Sequence, residues 1–470
     1  MIDPTHNQQF VDQFWQDAIL PSLIDYVKIP NKSPLFDADW ETNGFMEEAV
    51  SHMISWVEAQ QVPGLTTGVF RLPGRTPTIL LQRKGNRPGN VLIYGHLDKQ
   101  PEFEGWEPGL GPWNPVIRDD RLYGRGGADD GYAIYAAIAA ILSAASQSLD
   151  MPDISILIEA SEESGSPDLP HYMELLAPGI GTPDLVIALD STCGNYDQLW
   201  ITTSLRGMLI GDLCVKVLTE GVHSGAAGGI VPSSFRLLRQ IISRLEDEQT
   251  GNILPSFLND QIPEHRRQEA IKAAEVLAGT FENMYPFTEH GKPVSEDPVE
   301  LVLNNTWLPS LAVTGISGAP APEAAGNVLR PETKARLALR IPPTTHAETA
   351  GRELASLLLA DAPYGAEVTF DLRTPNAGWH APATAATLET ALQKASGNYF
   401  GQPAMAIGCG GSIPFMEFLA RTAPSAQFVV TGVLGPRSNA HGPNEFLHLP
   451  TARKLTACVA ELLAEWSPEN

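Results

Sequence analysis

The sequence predicts an α/β protein, a mostly parallel sheet covered by helices, with a smaller α+β domain inserted into it. Three observations carry that expectation. Short runs rich in Ile, Leu and Val recur before residue 190, an alanine-rich segment lies between two of them, and the middle of the chain turns to half-exposed strands. At 470 residues the chain is also longer than one hydrophobic core usually organises.

Four early runs read as strands: PTILLQR (77–83), VLIYGH (91–96), ISILIEA (154–160) and LVIALD (185–190). Each is apolar on both faces and bounded by Pro, Gly or Asp, as suits a sheet buried on both sides. GYAIYAAIAAILSAASQ (131–147) is apolar nearly all round and reads as a buried helix. AQFVVTGV (426–433) adds a late strand, and TARKLTACVAELLAEW closes the chain as a helix. Residues 1–204 and 379–470 are therefore expected to form one domain. In between, SLRGMLIGDLCVKVL (204–218), TKARLALRIPP (333–343) and AEVTFDLRTP (366–375) alternate imperfectly, with helices expected near 234–247 and 346–360. Residues 205–378 are expected to be an inserted α+β unit. The stretch 250–310 carries no pattern that assigns it.

Composition narrows the function. The formal net charge of −24 disfavours nucleic acid, whose phosphates need Lys and Arg to displace counterions. No apolar run reaches about 18 residues, so no membrane span is expected. The start, MIDPTHNQQFVDQFWQDAILPSL, lacks a basic region and a continuous apolar stretch, which points to a cytoplasmic protein rather than a secreted one. Cys193, Cys214, Cys409 and Cys458 are scattered without a CxxC pair and read as reduced core residues.

The chemistry gathers at strand ends. VLIYG delivers His96 and Asp98, ISILIEA delivers Glu162 and Glu163, and LVIALD delivers Asp190. Asp129 and Asp130 precede the alanine-rich helix, and His441 follows the late strand. Ligands of open parallel sheets bind beyond the carboxyl ends of the strands, so these residues are expected to converge. Taken singly, each has an ordinary explanation as a cap, a turn or a solvated pair of acids; their common placement does not. Imidazole with carboxylate is a ligand set for Zn²⁺, Mn²⁺ or Co²⁺. Two cations sharing one carboxylate would neutralise acids that one cation would leave buried and unpaired. Such a pair, about 3.5–4 Å apart, lowers the pKa of water and polarises a carbonyl, with one glutamate left free as general base.

GHLD, YGRGGADD, SEESGS, the Asp190 strand end, GVHSG (221–225), GGSIP (410–414) and AHGPNE (440–445) occur in the order found in the M20 family of metallopeptidases. The chain resembles that family over nearly its whole length, and its carnosinase-like and PepV-like dipeptidases most. The resemblance implies a di-zinc aminopeptidase-like catalytic domain with an inserted lid that forms a homodimer. It implies two divalent ions, Zn²⁺ first with Mn²⁺ or Co²⁺ as alternatives. Asp129 would bridge them, with His96 and Asp190 on one and Glu163 and His441 on the other. Glu162 resembles the general base, and Asp98 the carboxylate that orients His96. A cis peptide between Asp129 and Asp130 is implied as well. His223 is similar to the lid histidine that reaches the partner subunit's site and stabilises the oxyanion. Asn327, Arg340, His380 and Ser412 match substrate-contact positions, Arg340 as a fork for a free α-carboxylate. One departure stands out: the family often continues Asp-Lys-Gly after the bridging aspartate, whereas here Asp130 is followed by Gly131 and Tyr132.

The expected activity is hydrolysis of the amide bond in dipeptides or short peptides with a free carboxyl terminus, a metallopeptidase with carboxypeptidase-like recognition. An N-acyl amino acid deacylase would use the same centre on an acyl group. A non-catalytic binding protein that kept the fold is the third reading, and retention of all five ligand positions and Glu162 weighs against it.

Overall fold

The computed structural model describes residues 1–280, 284–373 and 375–468. Among them, nine strands form one sheet in the order Leu65–Phe70, Thr78–Arg83, Asp153–Glu159, Asn90–His96, Leu185–Ala188, Gln427–Val430, Trp200–Leu205 and Trp379–His380, with Met405–Cys409 paired to Trp200–Leu205. Asp153–Glu159, Asn90–His96, Leu185–Ala188 and Gln427–Val430 are mutually parallel. They place the ends that carry His96, Glu162, Glu163 and Asp190 along one edge.

The sheet is mixed rather than mostly parallel. Thr78–Arg83 runs antiparallel to both its neighbours, and Trp200–Leu205 opposes Gln427–Val430 and Trp379–His380. The run PTILLQR signals burial on two faces, which says nothing about direction. Direction follows from the connection: only six residues, Lys84 to Gly89, separate Arg83 from Asn90. A parallel return needs a crossover of about a dozen residues or more, so this short link forces a reversal.

Alternation along the strands divides the apolar residues between two cores. Ile79, Leu81, Val91 and Ile93 face one layer with helices Pro4–Phe14, Phe45–Ala59, Tyr132–Ser146, Ala386–Tyr399 and Leu449–Glu465. Leu80, Leu92, Tyr94 and Leu157 face the other, against helices Leu169–Ile180 and Pro414–Thr422. The alanine-rich helix Tyr132–Ser146 is buried along nearly its whole length. No helix among the described residues is long and apolar enough to cross a membrane, and the four cysteines are free.

A second, four-stranded antiparallel sheet has the order Ser310–Ser317, Glu332–Ile341, Gly207–Lys216, Glu367–Leu372. Gly207–Lys216 alternates strictly between buried and half-buried residues. Its buried face packs on helices Ser234–Ile242 and Ala347–Leu359. Among the described residues, the unassigned stretch includes helices Glu264–Leu277 and Pro298–Thr306. Both lean on Met405–Cys409 of the first sheet through Ile407. The first of them buries mainly alanines, Ala270, Ala273 and Ala274, which leave little apolar periodicity to read in a sequence.

The turn that precedes the buried helix contains a cis peptide between Asp129 and Asp130. Gly131 ends that turn under the Tyr26 ring. A Cβ there would lie 2.2 Å from Tyr26 Cε1 and 2.6 Å from the Gly126 carbonyl oxygen. Overpacking of this kind costs about 1–3 kcal/mol. Gly131→Ala is therefore expected to lower stability by that order in denaturant unfolding; an unchanged midpoint would mean that Tyr26 swings aside.

Candidate active site

Residues from five separate segments meet at the carboxyl edge of the parallel strands. His96 ends its strand with its ring fully buried, its Nε2 lying 3.2 Å from Asp129 Oδ1 and 3.8 Å from Asp190 Oδ2. On the other side of Asp129, His441 Nε2 is 3.0 Å from Oδ2 and 3.3 Å from Glu163 Oε2. Two three-residue groups result, His96–Asp129–Asp190 and Asp129–Glu163–His441, each with its donor atoms within 4.8 Å of one another. They share Asp129. The five residues singled out in the sequence as ligands are thus brought together, in the pairing that the family resemblance implies.

The electrostatics ask for positive charge. Burial raises Asp190 to about 6, with the Asp129 and Asp98 charges adding to it against His96. Glu163 is raised by burial and by the neighbouring Asp129 and Glu162, and Glu162 by burial and Asp190. Burial opposes a charged His96, yet the carboxylates of Asp129, Asp98 and Asp190 prevail and raise it. Asp130 Oδ2 accepts the His96 backbone N–H at 3.2 Å, while its buried Oδ1 has no partner. A donor set of two imidazoles and three carboxylates, with surplus buried acid around it, fits two divalent cations.

Asp98 holds this arrangement from beneath. Its carboxylate accepts the backbone N–H groups of Glu162 and Glu163, at 3.1 and 3.0 Å. It also lies 3.5 Å from His96 Nδ1, and its carbonyl oxygen is 3.1 Å from the same nitrogen. That leaves Nε2, the nitrogen facing Asp129 and Asp190, unprotonated when the ring is neutral. Sequence reasoning missed several supports. Glu159 accepts from the Tyr94, Ser161 and Ser166 hydroxyls and so fixes both ends of the SEESGS turn. Gln100 donates to Glu163 Oε2 at 2.6 Å. Tyr132 donates to the Leu189 carbonyl beside Asp190. Arg125 and Glu445 form a buried ion pair. The last two were visible as charged residues inside the GRGG and GPNE motifs.

The remaining predicted residues stand apart from the two groups. Among the described residues His223 has no hydrogen bond or ion pair with them. It is exposed, and its Nδ1 accepts from Gly225 N (3.1 Å) and Ala226 N (3.3 Å), which leaves the proton of the neutral ring on Nε2. Asn327 is its neighbour, the Asn327 carbonyl accepting the Ser224 N–H. Arg340 lies between Met208 and Ser310 on the second sheet, with Nη1 buried and unpartnered. His380 Nε2 accepts from Arg266 Nε at 3.0 Å, and its ring lies edge-on to Trp307. Burial, with Arg266 and His265, lowers His380 to about 4. It is therefore neutral at physiological pH and carries its proton on Nδ1. Ser412 sits in the loop after Met405–Cys409, half-buried.

The family described as peptidase family M20/M25/M40 matches residues 92–465. A cysteinylglycine-S-conjugate dipeptidase of Corynebacterium striatum is 26% identical over 81% of this chain and 81% of its own. A human Beta-Ala-His dipeptidase is 27% identical over 66% of this chain, which spans 62% of that protein. Among solved structures, the di-peptidase Dug1p from Saccharomyces cerevisiae superposes with a TM-score of 0.76 at 20% identity, over 99% of both chains. That likeness speaks to the fold.

The raised acids set a sign for stability in the metal-free chain. Glu159 is lifted to about 7 and Asp190 to about 6, burial being the first cause in each. Unfolded carboxyls titrate near 4, so the folded chain holds more protons between about pH 4 and 7. The stability these groups allow is present below about pH 4 and is lost as pH rises through their folded values. Chelated protein is thus expected to unfold at lower urea concentration at pH 8 than at pH 5. An equal or higher midpoint at pH 8 would contradict this.

Proposed function

The chain belongs to peptidase family M20/M25/M40, and on that premise we propose that it is a two-metal dipeptidase, cleaving the amide bond of dipeptides or short peptides with a free carboxyl terminus. The observation that carries the reading is the pair of donor groups sharing Asp129. His96 and Asp190 would hold one cation, Glu163 and His441 the other, and Asp129 both. Zn²⁺ suits the set best, with Mn²⁺ and Co²⁺ as substitutes. Bound divalent ions supply Lewis-acid polarisation of the carbonyl and a nucleophilic water at neutral pH.

The chain's own residues supply the rest. Glu162 takes the proton from the attacking water and returns it to the leaving amine. Burial and the negative charge around it raise its pKa, as a group that must both accept and donate near neutrality requires. Asp98 fixes its position through the backbone N–H of Glu162 itself. Arg340, with an unpartnered Nη1, is suited to a substrate carboxylate, and neutral His380 has an Nδ1–H free to donate to substrate. Asn327 and Ser412 are further substrate contacts in this reading.

Residues 205–378 act as an inserted lid and dimerisation unit. Ser310–Ser317 is an open edge of the second sheet and exposes Val313 and Ile316, a surface suited to a second copy. His223, exposed and donating through Nε2, would complete the partner subunit's site by stabilising the oxyanion. A cytoplasmic location fits the free cysteines. The dipeptidase reading is preferred to deacylation because the curated relatives described above are named as dipeptidases.

Glu162→Gln is expected to retain both metals while turnover falls by at least about 10²–10⁴-fold. Metal analysis alongside steady-state kinetics checks this, and near-normal turnover would remove the mechanism. Arg340→Met should raise KM for dipeptides by about 10–100-fold with little change for their carboxyl-amidated forms. Free dipeptides should be cleaved faster than the N-acetylated series; the reverse order would favour the deacylase.

A further inference from the structure

We propose that the buried Arg125–Glu445 pair assembles the half of the centre containing Glu163 and His441, so that the two cation positions differ in affinity and fill in order, the His96–Asp190 position first. The proposal rests on the two-metal reading above and concerns how that centre is built.

The two halves are held differently. His96 ends a central strand with its side chain 0% exposed and is oriented by Asp98. Asp190 follows Leu185–Ala188 closely, and Tyr132 fixes the carbonyl just before it. Neither depends on a long loop. His441 has a side chain 54% exposed and lies on irregular backbone. In its vicinity Arg437, Asn439, His441 and Asn444 all take positive φ, between 54° and 65°, a region that non-glycine residues rarely occupy. No strand or helix holds this segment where His441 stands.

Within itself the segment has turn bonds, such as the Phe446 N–H to the Ser438 carbonyl at 3.1 Å; the side chain that ties it to the Asp129 segment is Glu445, four residues after His441. The Glu445 side chain is fully buried, and it accepts from Arg125 and, through Oε1, from the Gly126 N–H at 2.8 Å. Arg125 Nη2 donates to the Gly442 carbonyl at 2.9 Å, beside His441 itself. Arg125 Nε reaches the Pro101 carbonyl at 3.2 Å, and the guanidinium lies 5.8 Å from both the Phe103 and Trp106 rings. Asn444 Oδ1 accepts the Glu107 N–H at 2.8 Å on the same side. Arg125 precedes Asp129 by four residues. The ion pair thus ties the segment bearing the shared aspartate to the segment bearing His441, and both to the loop that follows Asp98. Only an arginine fork makes these contacts together. Without them His441 must be ordered at the moment a cation binds, which weakens that position and leaves the other intact.

The test is metal titration of the full-length protein after chelation, with Co²⁺ followed by absorbance and Zn²⁺ by calorimetry. Wild type should take up two equivalents in distinguishable steps. The double variant Arg125→Met/Glu445→Gln strands neither charge in the interior. It should keep the first equivalent and bind the second about 10–100-fold more weakly, the range for loss of a partner that orients a ligand. Its remaining cobalt spectrum should match that of His441→Ala and differ from that of His96→Ala. Arg125→Lys keeps the charge without the fork; it should weaken the second step alone, and it covers the case in which the double variant does not fold. Equal weakening of both steps in Arg125→Lys, or no weakening of either, overturns the proposal. A wild-type chain that binds one equivalent or none overturns the two-metal reading and the proposal with it.

Discussion

The Asp129 carboxylate is the point from which the rest of the structure can be reasoned. One oxygen faces His96 at 3.2 Å and the other faces His441 at 3.0 Å, so a single side chain joins residues from opposite ends of the chain. Full burial of such a group is tolerable only among partners that keep it ionised, and the two imidazoles lower its pKa despite the desolvation. Its position is fixed by the turn ahead of helix Tyr132–Ser146, which is itself enclosed on almost every side. The alanine-rich helix therefore does more than fill the core. It sets where the shared acid stands relative to the strand ends.

Around Asp129 the support is arranged so that segments bearing the candidate ligands are tied to one another. Asp98 accepts the amides of Glu162 and Glu163 while facing the His96 ring, so strand-end and turn are tied together. Glu159, the register partner of His96, collects three hydroxyls and closes the same turn from the sheet side. These carboxylates are unlike the acids proposed as ligands. Their oxygens are taken up by protein donors, so they order the site without needing a cation.

Much of this was legible in the sequence because burial and function leave different marks. Runs such as VLIYGH and ISILIEA announce buried strands, and the polar residues that end them announce the edge where chemistry collects. The residues that cluster around Asp129 could be named once the motifs were read in order. Two things were not legible. Strand direction is absent from an apolar run, and PTILLQR, antiparallel to both neighbours, was betrayed only by the six-residue link after Arg83. Helices whose buried faces are alanine, as in Glu264–Leu277, offer too little contrast for a 3.6-residue pattern to emerge. Supporting residues such as Glu159 and Gln100 were hidden for another reason. Their roles exist only in contacts made across the fold.

The departure after Asp130 has a physical account of the same kind. Where the resembled family often carries a lysine, this chain has Gly131, and the space beside it is filled by Tyr26. Tyr26 donates to the Leu97 carbonyl at 2.5 Å, between His96 and Asp98. A buried lysine is nevertheless present, supplied by another segment of the chain. Lys99 donates to the carbonyls of Tyr26 and Ile29 at 2.8 and 2.7 Å, lies 3.9 Å from the Tyr26 ring centre, and packs its stem where a Cβ on Gly126 would stand. Burial lowers the pKa of a lysine so enclosed, and the surrounding carbonyl oxygens accept its N–H groups. Gly126, with φ of 81°, makes the turn that a side chain there would obstruct. Gly131 and Gly126 are thus two halves of one solution. Each leaves room for a side chain from the first hundred residues, and between them Tyr26 and Lys99 brace the segment that carries the shared aspartate.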